Sequence, residues 1–186
     1  MRTKDLDKQQ RIKDAMISLI LKEGINGASV AKIAKEAGVS PATIYVYYEN
    51  KDEMLAEVFN EYARKSYSYI SERIYPQMDG KELIETLIRA AYLFASENEE
   101  IFSFVEQCSS CPTLQETVCH SVCSMDVFEL IHSYQKKQIL KTYSDLNMAG
   151  VLFAPVKFLT VNRNNLRDPE KELQELIGMM QDLLLY

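Results

Sequence analysis

Four cysteines in the middle of the chain are the residues whose type and spacing most directly suggest chemistry. Cys108 and Cys111 form a Cys-x-x-Cys pair, and Cys119 and Cys123 follow with His120 between them. A Cys-x-x-Cys pair with a later Cys and His is one arrangement that holds zinc. A redox switch made of the same four thiols is a second chemical alternative.

Ordinary burial is the third interpretation of these cysteines, and the sequence favours it. Pro112 follows Cys111 and disfavours helix in the residue before it, so this pair is predicted to lie at a helix end. Cys119 and Cys123 are one helical turn apart, a spacing that also suits packing, and free cysteines are among the most buried residues. We therefore predict neither a metal nor another cofactor.

The sequence shows none of the common arrangements of catalytic residues. We find no Ser/His/Asp set, no paired carboxylates in an apolar frame and no Gly-rich phosphate loop. Acidic residues such as Glu97, Glu99 and Glu100 are expected on solvent faces. We predict that the protein is not an enzyme, and an all-α enzyme remains a disfavoured alternative.

The segment Ser29–Lys51 has the spacing of a helix-turn-helix. A short apolar stripe ends at Gly38, which is free to take the positive φ of a tight turn. Ser40 and Pro41 then open a second helix, since Ser is a good N-cap and Pro suits the first helical position. In a DNA-binding unit this helix presents its first turn to base edges and its flanks to phosphates. Its predicted exposed residues are Ser40, Pro41, Ala42, Thr43, Tyr45 and Tyr47.

The elements that position this segment are helical along nearly the whole chain. Of 186 residues, 47% are hydrophobic, and six Gly with five Pro are too few for a turn-rich sheet protein. The periodicity predicts an all-α fold of about nine helices, with a three-helix head over residues 1–51 and a helical body over 52–186. The head carries nine Lys/Arg against six Asp/Glu and the body twelve against twenty-one, so the head is the part expected to meet a polyanion.

The head also resembles a known family. The run Ala-Gly-Val-Ser-x-x-Thr-Ile-Tyr-x-Tyr-Tyr-x-Asn-Lys, followed by Met-Leu, closely resembles the DNA-binding head of the TetR family of bacterial transcriptional regulators. The resemblance is dense over Lys13–Phe59 and beyond that concerns length and helix order. It implies a dimeric all-α repressor whose C-terminal domain binds a small molecule.

Position by position, the resemblance implies roles for individual residues. It places Ser29 as a helix cap near a phosphate and Pro41 and Ala42 where members often touch bases. The family's usual DNA-contacting positions correspond to Thr43, Tyr45, Tyr47 and Lys51. Two residues depart from the pattern: Tyr48 replaces a more usual inward-packing Phe, and Glu49 is acidic beside the contact strip.

The body is expected to bind an effector and a second copy of the chain. A cavity among the fifth to eighth predicted helices, which together span about residues 83–161, is expected to hold an apolar or aromatic molecule. Its predicted lining is Phe104, Cys108, Met125 and Phe153. The eighth (Met148–Val161) and ninth helices are the predicted dimer face, through Leu173, Leu176, Ile177, Met180 and Leu184.

The sequence thus predicts a ligand-responsive repressor that a small apolar or aromatic effector releases from a palindromic operator. Its expected partners are double-stranded operator DNA, the effector and a second copy. No run of about 18 apolar residues is present and the N-terminus is polar, so we expect no membrane span and a cytoplasmic location. The alternatives are a thiol- or metal-responsive regulator through the four cysteines, and an adaptor that keeps the helix-turn-helix only for packing.

Overall fold

The computed structural model describes residues 2–109, 111, 114 and 126–186, and these residues form helices and no β-sheet. The all-α prediction is therefore confirmed. The described helices, in chain order, are α1 (Arg2–Gly27), α2 (Val30–Glu36), α3 (Pro41–Tyr47), α4 (Lys51–Ser71), α5 (Gly80–Glu97), α6 (Glu99–Ser109), α7 (Asp126–Lys136), α8 (Asp145–Asn162) and α9 (Pro169–Leu184).

Side-chain caps explain where the helices of the head begin. Ser29, Ser40 and Asn50 each precede a helix in extended conformation. Each accepts a hydrogen bond through its side-chain oxygen from the backbone N–H three residues later, at 3.3, 3.2 and 2.9 Å respectively. These bonds satisfy N–H groups that have no partner within the helix, so they fix the starts of α2, α3 and α4.

The spacing of apolar residues predicts that the first helix ends at Gly24, the fourth near Ile74 and the seventh near Lys141, and the observed ends differ. Gly24 interrupts α1 with φ 76°, as a helix stop requires, but one further turn follows it to Gly27. The fourth helix ends at Ser71 rather than near Ile74. The seventh ends at Lys136 rather than near Lys141, because Gln138 adopts φ 56°, a left-handed conformation that no helix continues through.

Two hydrophobic cores lie along the chain and meet within α4. The head core contains the buried face of α1, with α2, α3 and the first half of α4 as far as Ala63. The body core contains Ile70 at the end of α4 together with buried residues of α5, α7, α8 and α9. Because one continuous helix contributes to both cores, the head and the body are mechanically connected. Among the described residues no helix is both long and apolar enough to cross a membrane.

Candidate functional site

The exposed surface of α3 holds most of the residues expected to contact DNA. Pro41 and Ala42 are exposed in the first turn, and Tyr45 is 57% exposed. Ser40 caps the helix and its hydroxyl also lies 2.9 Å from the Thr43 hydroxyl, which is half-buried. The first turn of α3 therefore presents small and hydroxyl-bearing groups to solvent, as a helix that enters a groove requires.

Val46 is an exposed residue of the same surface that the sequence interpretation missed. It is 78% exposed, more than any other large apolar side chain that the structure describes in the head. A methyl-bearing side chain on this face is suited to contact with thymine methyl groups. The sequence could have predicted that Val46 is exposed, because it follows the buried Ile44 of α3 by two residues. Side chains two apart on a helix point in very different directions.

The turn between α2 and α3 holds the second helix at a fixed angle. Gly38 has φ 65°, a left-handed conformation that favours glycine. The Val39 N–H donates to the Ala34 carbonyl at 2.9 Å, which closes the turn. From α1, the Arg11 guanidinium donates to the Ala37 carbonyl at 3.1 Å, so the end of α2 is also tied to the first helix.

Lys51 lies at the start of α4 and is the cationic member of the predicted contact set. Its ammonium donates to the Ile25 carbonyl at 2.5 Å, in the turn after the break in α1. An ammonium has three N–H groups, so two stay available for a phosphate. Tyr47 is half-buried, with its ring centroid 6.4 Å from that of Tyr48. At the start of α2, Ser29 is exposed.

Tyr48 packs inward, as the resemblance implies for a position that more usually holds an inward-packing Phe. Its side chain is 2% exposed, and its hydroxyl is buried without a well-formed hydrogen bond, with the Gln9 side chain close by. Burial raises the pKa of this phenol. Close by, Lys13 of α1 forms an ion pair with Glu61 of α4. Glu49 is exposed, and its backbone N–H donates to the Glu53 carboxylate.

A second candidate site is a cavity of about 250 Å³ between α4, α6 and α8. Its wall is mostly apolar and includes three aromatic rings and one carboxylate. The lining residues are Ser66, Tyr67, Ile70, Phe102, Val105, Glu106, Ser109, Leu146, Ala149, Gly150, Phe153 and Ala154. A cavity with this lining suits a small, largely apolar molecule.

The cavity corrects part of the predicted lining. Phe153 lines it, but Phe104 and Cys108 do not, because both lie on a different face of α6 and are fully buried in the head core. Met125 lies outside the described residues. The sequence interpretation missed Tyr67 and Phe102, which also line the cavity. Both are aromatic residues on the inward side of an amphipathic helix, and this pattern could have identified them.

The two described cysteines, Cys108 and Cys111, differ in burial. Burial raises the pKa of Cys108 to about 12, and Cys111 is half-buried. Within residues 2–109, 111, 114 and 126–186 no three His, Cys, Asp or Glu side chains are grouped to hold a metal. Cys119 and Cys123 lie outside the described residues.

The predicted dimer stripe of α9 is buried within its own chain, which corrects its placement. Leu173, Leu176, Ile177, Met180 and Leu184 all belong to the body core. They are enclosed because α9 packs on α5 and α8. The large apolar residues that the two last helices leave exposed are instead Leu146, Phe158 and Val161 of α8 and Met179 and Leu183 of α9. Of these, Leu146 lines the cavity.

Comparison with known proteins points to one family. The sequence model of the bacterial regulatory proteins of the tetR family matches residues 12–58. An uncharacterized HTH-type transcriptional regulator of Haemophilus influenzae is 30% identical over 151 residues, which cover 78% of this chain and 77% of the relative. The fatty acid metabolism regulator protein of Bacillus subtilis is 35% identical over 81 residues, covering 44% of this chain and 42% of that relative.

Solved structures share the whole fold. A structure from Shewanella sp. PV-4, described as a tetR family transcription regulator, has a TM-score of 0.83 at 24% identity and covers 96% of this chain and 98% of its own. FadR from Bacillus subtilis in complex with stearoyl-CoA has a TM-score of 0.66 at 20% identity, covering 92% and 96%. Together with the Haemophilus relative and the matched helix-turn-helix, these comparisons show that the chain belongs to the TetR family of bacterial transcriptional regulators.

Proposed function

We propose that this regulator is a cytoplasmic repressor that binds a palindromic operator as a homodimer and releases it when a small apolar or aromatic molecule fills the α4–α6–α8 cavity. The position of α4 carries this proposal. Met54, Leu55, Val58 and Phe59 of α4 lie in the head core, whereas Ser66, Tyr67 and Ile70 of the same helix line the cavity. A ligand that displaces the second half of α4 therefore also displaces the head.

In the proposed complex α3 lies in the major groove. Its exposed first turn places Pro41 and Ala42 against base edges, and Tyr45 reaches the flanking backbone. Thr43 and Tyr47 also contact the DNA, and Lys51 pairs with a phosphate through the N–H groups that the Ile25 carbonyl leaves available. Ser29 and Ser40 lie at helix N-termini, where backbone N–H groups and the helix dipole favour phosphate oxygens.

The proposed dimer face is the exposed side of α8 and α9. Phe158 is 69% and Met179 64% exposed, and Val161 and Leu183 extend the same apolar surface. Gly178 of α9 has no atom within 4 Å of an ideal Cβ position, so α9 offers a small residue where a second backbone can approach. Two helices from each chain would form a four-helix isologous interface.

Two helices connect the cavity to the head in this proposal. α4 has 21 residues, which at about 1.5 Å per residue span roughly 31 Å. α6 provides a second connection, since Phe104 and Cys108 pack in the head core while Phe102 and Glu106 line the cavity. The Gln107 side chain also donates to the Ile20 carbonyl of α1 at 3.4 Å.

The spacing of the two heads is the quantity that the effector changes. Operator half-sites lie at multiples of a helical turn of about 34–36 Å, so a small tilt of both heads breaks the match. A change of about 100-fold in operator affinity requires about 2.7 kcal/mol of differential effector affinity for the two head spacings. A ligand that binds both spacings equally leaves operator binding unchanged.

The experiment is a ligand screen followed by operator binding. Apolar, aromatic and cationic molecules, and acyl-CoA because the FadR structure holds stearoyl-CoA, are tested for thermal stabilisation of the full chain. Operator affinity is then measured with each hit on the protein's own promoter region. We expect at least one hit to change operator affinity, and tight binders that all leave it unchanged would contradict the proposal.

A further inference from the structure

We propose that the effector of the α4–α6–α8 cavity is a small amphipathic cation, with an apolar body among the aromatic rings and a charged group that pairs with Glu106. This inference rests on the proposed function and deepens it, because it assigns the chemistry of the molecule that fills the cavity.

The charge of the cavity wall carries the inference. Among the described residues that line it, Glu106 is the only Asp, Glu, Lys or Arg. Its carboxylate forms an ion pair with Lys157 of α8, which is not part of the lining. A bound anion would therefore face a carboxylate of like charge, whereas a bound cation would face an opposite charge.

Lys157 is a partner that a ligand is able to replace. The two side chains of the pair are 34% and 31% exposed. Ion pairs with this much solvent contact contribute little to stability. The long aliphatic stem of Lys157 allows its ammonium to turn toward water, which leaves the Glu106 carboxylate to a ligand whose apolar body also gains burial.

The aromatic residues of the wall favour the same ligand. The Tyr67 and Phe153 rings meet edge to face with centroids 5.9 Å apart, and Phe102 of α6 also lines the cavity. Aromatic faces attract cations, most strongly where water is excluded. The net negative charge of residues 52–186 also raises the local concentration of cations.

The test uses three probes that share one apolar body: phenylbutyltrimethylammonium, phenylbutanol and phenylbutyrate. Binding of each to the full chain is measured by isothermal titration calorimetry at low salt. We expect the cation to bind roughly tenfold more tightly than the neutral alcohol. Phenylbutyrate should bind most weakly of the three.

Two variants assign the preference to the ion pair. Glu106→Gln keeps the size of the side chain, so it should remove the preference for the cation while leaving phenylbutanol binding intact. Lys157→Met should strengthen cation binding several-fold, because Glu106 loses its internal partner. Glu100→Gln, an exposed change of equal charge on the same helix, is the control and should preserve the preference. Thermal unfolding without ligand checks that each variant is folded.

Several results overturn this inference: no binding by any probe, a phenylbutanol or phenylbutyrate affinity equal to that of the cation, a preference that survives Glu106→Gln, or cation binding weakened by Lys157→Met. Operator affinity is a separate measurement. If the cation binds with the expected preference and operator affinity does not change, the ligand class stands and the proposed effector role fails.

Discussion

Phe102 and Phe104 are separated by one residue of α6, yet their rings lie in two different hydrophobic cores. Phe102 belongs to the body core and lines the cavity. Phe104 is fully buried in the head core, where its ring meets that of Tyr62 edge to face with centroids 6.5 Å apart. α6 therefore lines the candidate ligand cavity and also packs against the candidate DNA-binding unit. A shift of α6 changes the packing of both.

The first prediction concerns the charge of Lys51. Lys51→Ala should weaken binding to operator and to unrelated DNA alike, because a phosphate contact carries no sequence information. The slope of log affinity against log salt should fall by about one unit. Binding is measured by fluorescence anisotropy across a salt series, with the exposed Lys136→Ala of α7 as a control. An unchanged affinity and slope would remove Lys51 from the interface.

The second prediction separates two adjacent methionines of α9. Met179 is 64% exposed and Met180 only 7%. Met179→Glu should give a folded monomer with weakened operator binding, because a charge enters the proposed interface and one head makes half of the contacts. Met180→Glu should instead lower the free energy of unfolding by several kcal/mol, because it places an unpaired charge in the body core.

Analytical ultracentrifugation and thermal unfolding distinguish these two outcomes. A wild-type monomer, or a Met179→Glu dimer of unchanged affinity, would remove this face of α8 and α9 from the assembly. A stable, folded Met180→Glu variant would contradict the burial of the α9 stripe.

The third prediction concerns the buried hydroxyl of Tyr48. Since this hydroxyl is buried without a well-formed hydrogen bond, with the Gln9 side chain close by, Tyr48→Phe should raise the free energy of unfolding by about 1 kcal/mol. Urea denaturation measures this change. Tyr45→Phe on the exposed face is the matched control and should leave stability unchanged. A loss of stability on removal of the Tyr48 hydroxyl would show that it is bonded in solution.

The fourth prediction is a pH dependence of the contact between α1 and α4. Burial alone would raise the pKa of Glu61, but hydrogen bonds from Lys13 and Lys65 and their charges outweigh it and lower the pKa below 4.5. A depressed carboxylate pKa stabilises the fold above the unfolded-state value, and this stability is lost as pH falls through the folded pKa. Glu61→Gln should therefore destabilise the protein at neutral pH, and the difference from wild type should shrink as the pH falls below 4.5 and through the lower pKa of folded Glu61.

The stabilisation that the Lys13–Glu61 ion pair provides is also lost at high pH. Burial lowers the pKa of Lys13, but the hydrogen bond and charge of Glu61 raise it overall above 10.5. Its stabilisation is complete below that value and is lost as pH rises through the folded pKa. Urea denaturation at a series of pH values, with the exposed Glu57→Gln of α4 as control, tests both limits. A pH-independent difference between wild type and Glu61→Gln would be the contrary outcome.

The fifth prediction concerns thiol reactivity. With a pKa of about 12, Cys108 has only about one thiolate in ten thousand at pH 8. Iodoacetamide should therefore label Cys108 in the folded protein no faster than the protein unfolds, whereas denatured protein should react quickly. Mass spectrometry of digested samples locates the label. Rapid native labelling of Cys108 would revive a thiol switch at this position.

Local features of the sequence determined the helices and the head. The order Gly38, Ser40, Pro41 specifies a turn, a cap and a first helical residue through backbone geometry and short-range hydrogen bonds, which need no tertiary partner. The spacing of apolar residues likewise indicated the all-α class, since a helical stripe is visible in the chain itself. The resemblance of residues 13–59 to TetR heads added the family.

The tertiary structure alone decided what each buried face packs against. The apolar stripe of α9 that includes Met180 predicts that this face is buried. Only the positions of α5 and α8 show that its own chain covers the stripe and that Met179 is exposed. In the same way, the pattern of α6 does not reveal that Phe104 enters the head core while Phe102 lines a cavity. The physical reason is that the hydrophobic effect is non-directional: it rewards removal of a face from water without specifying the partner.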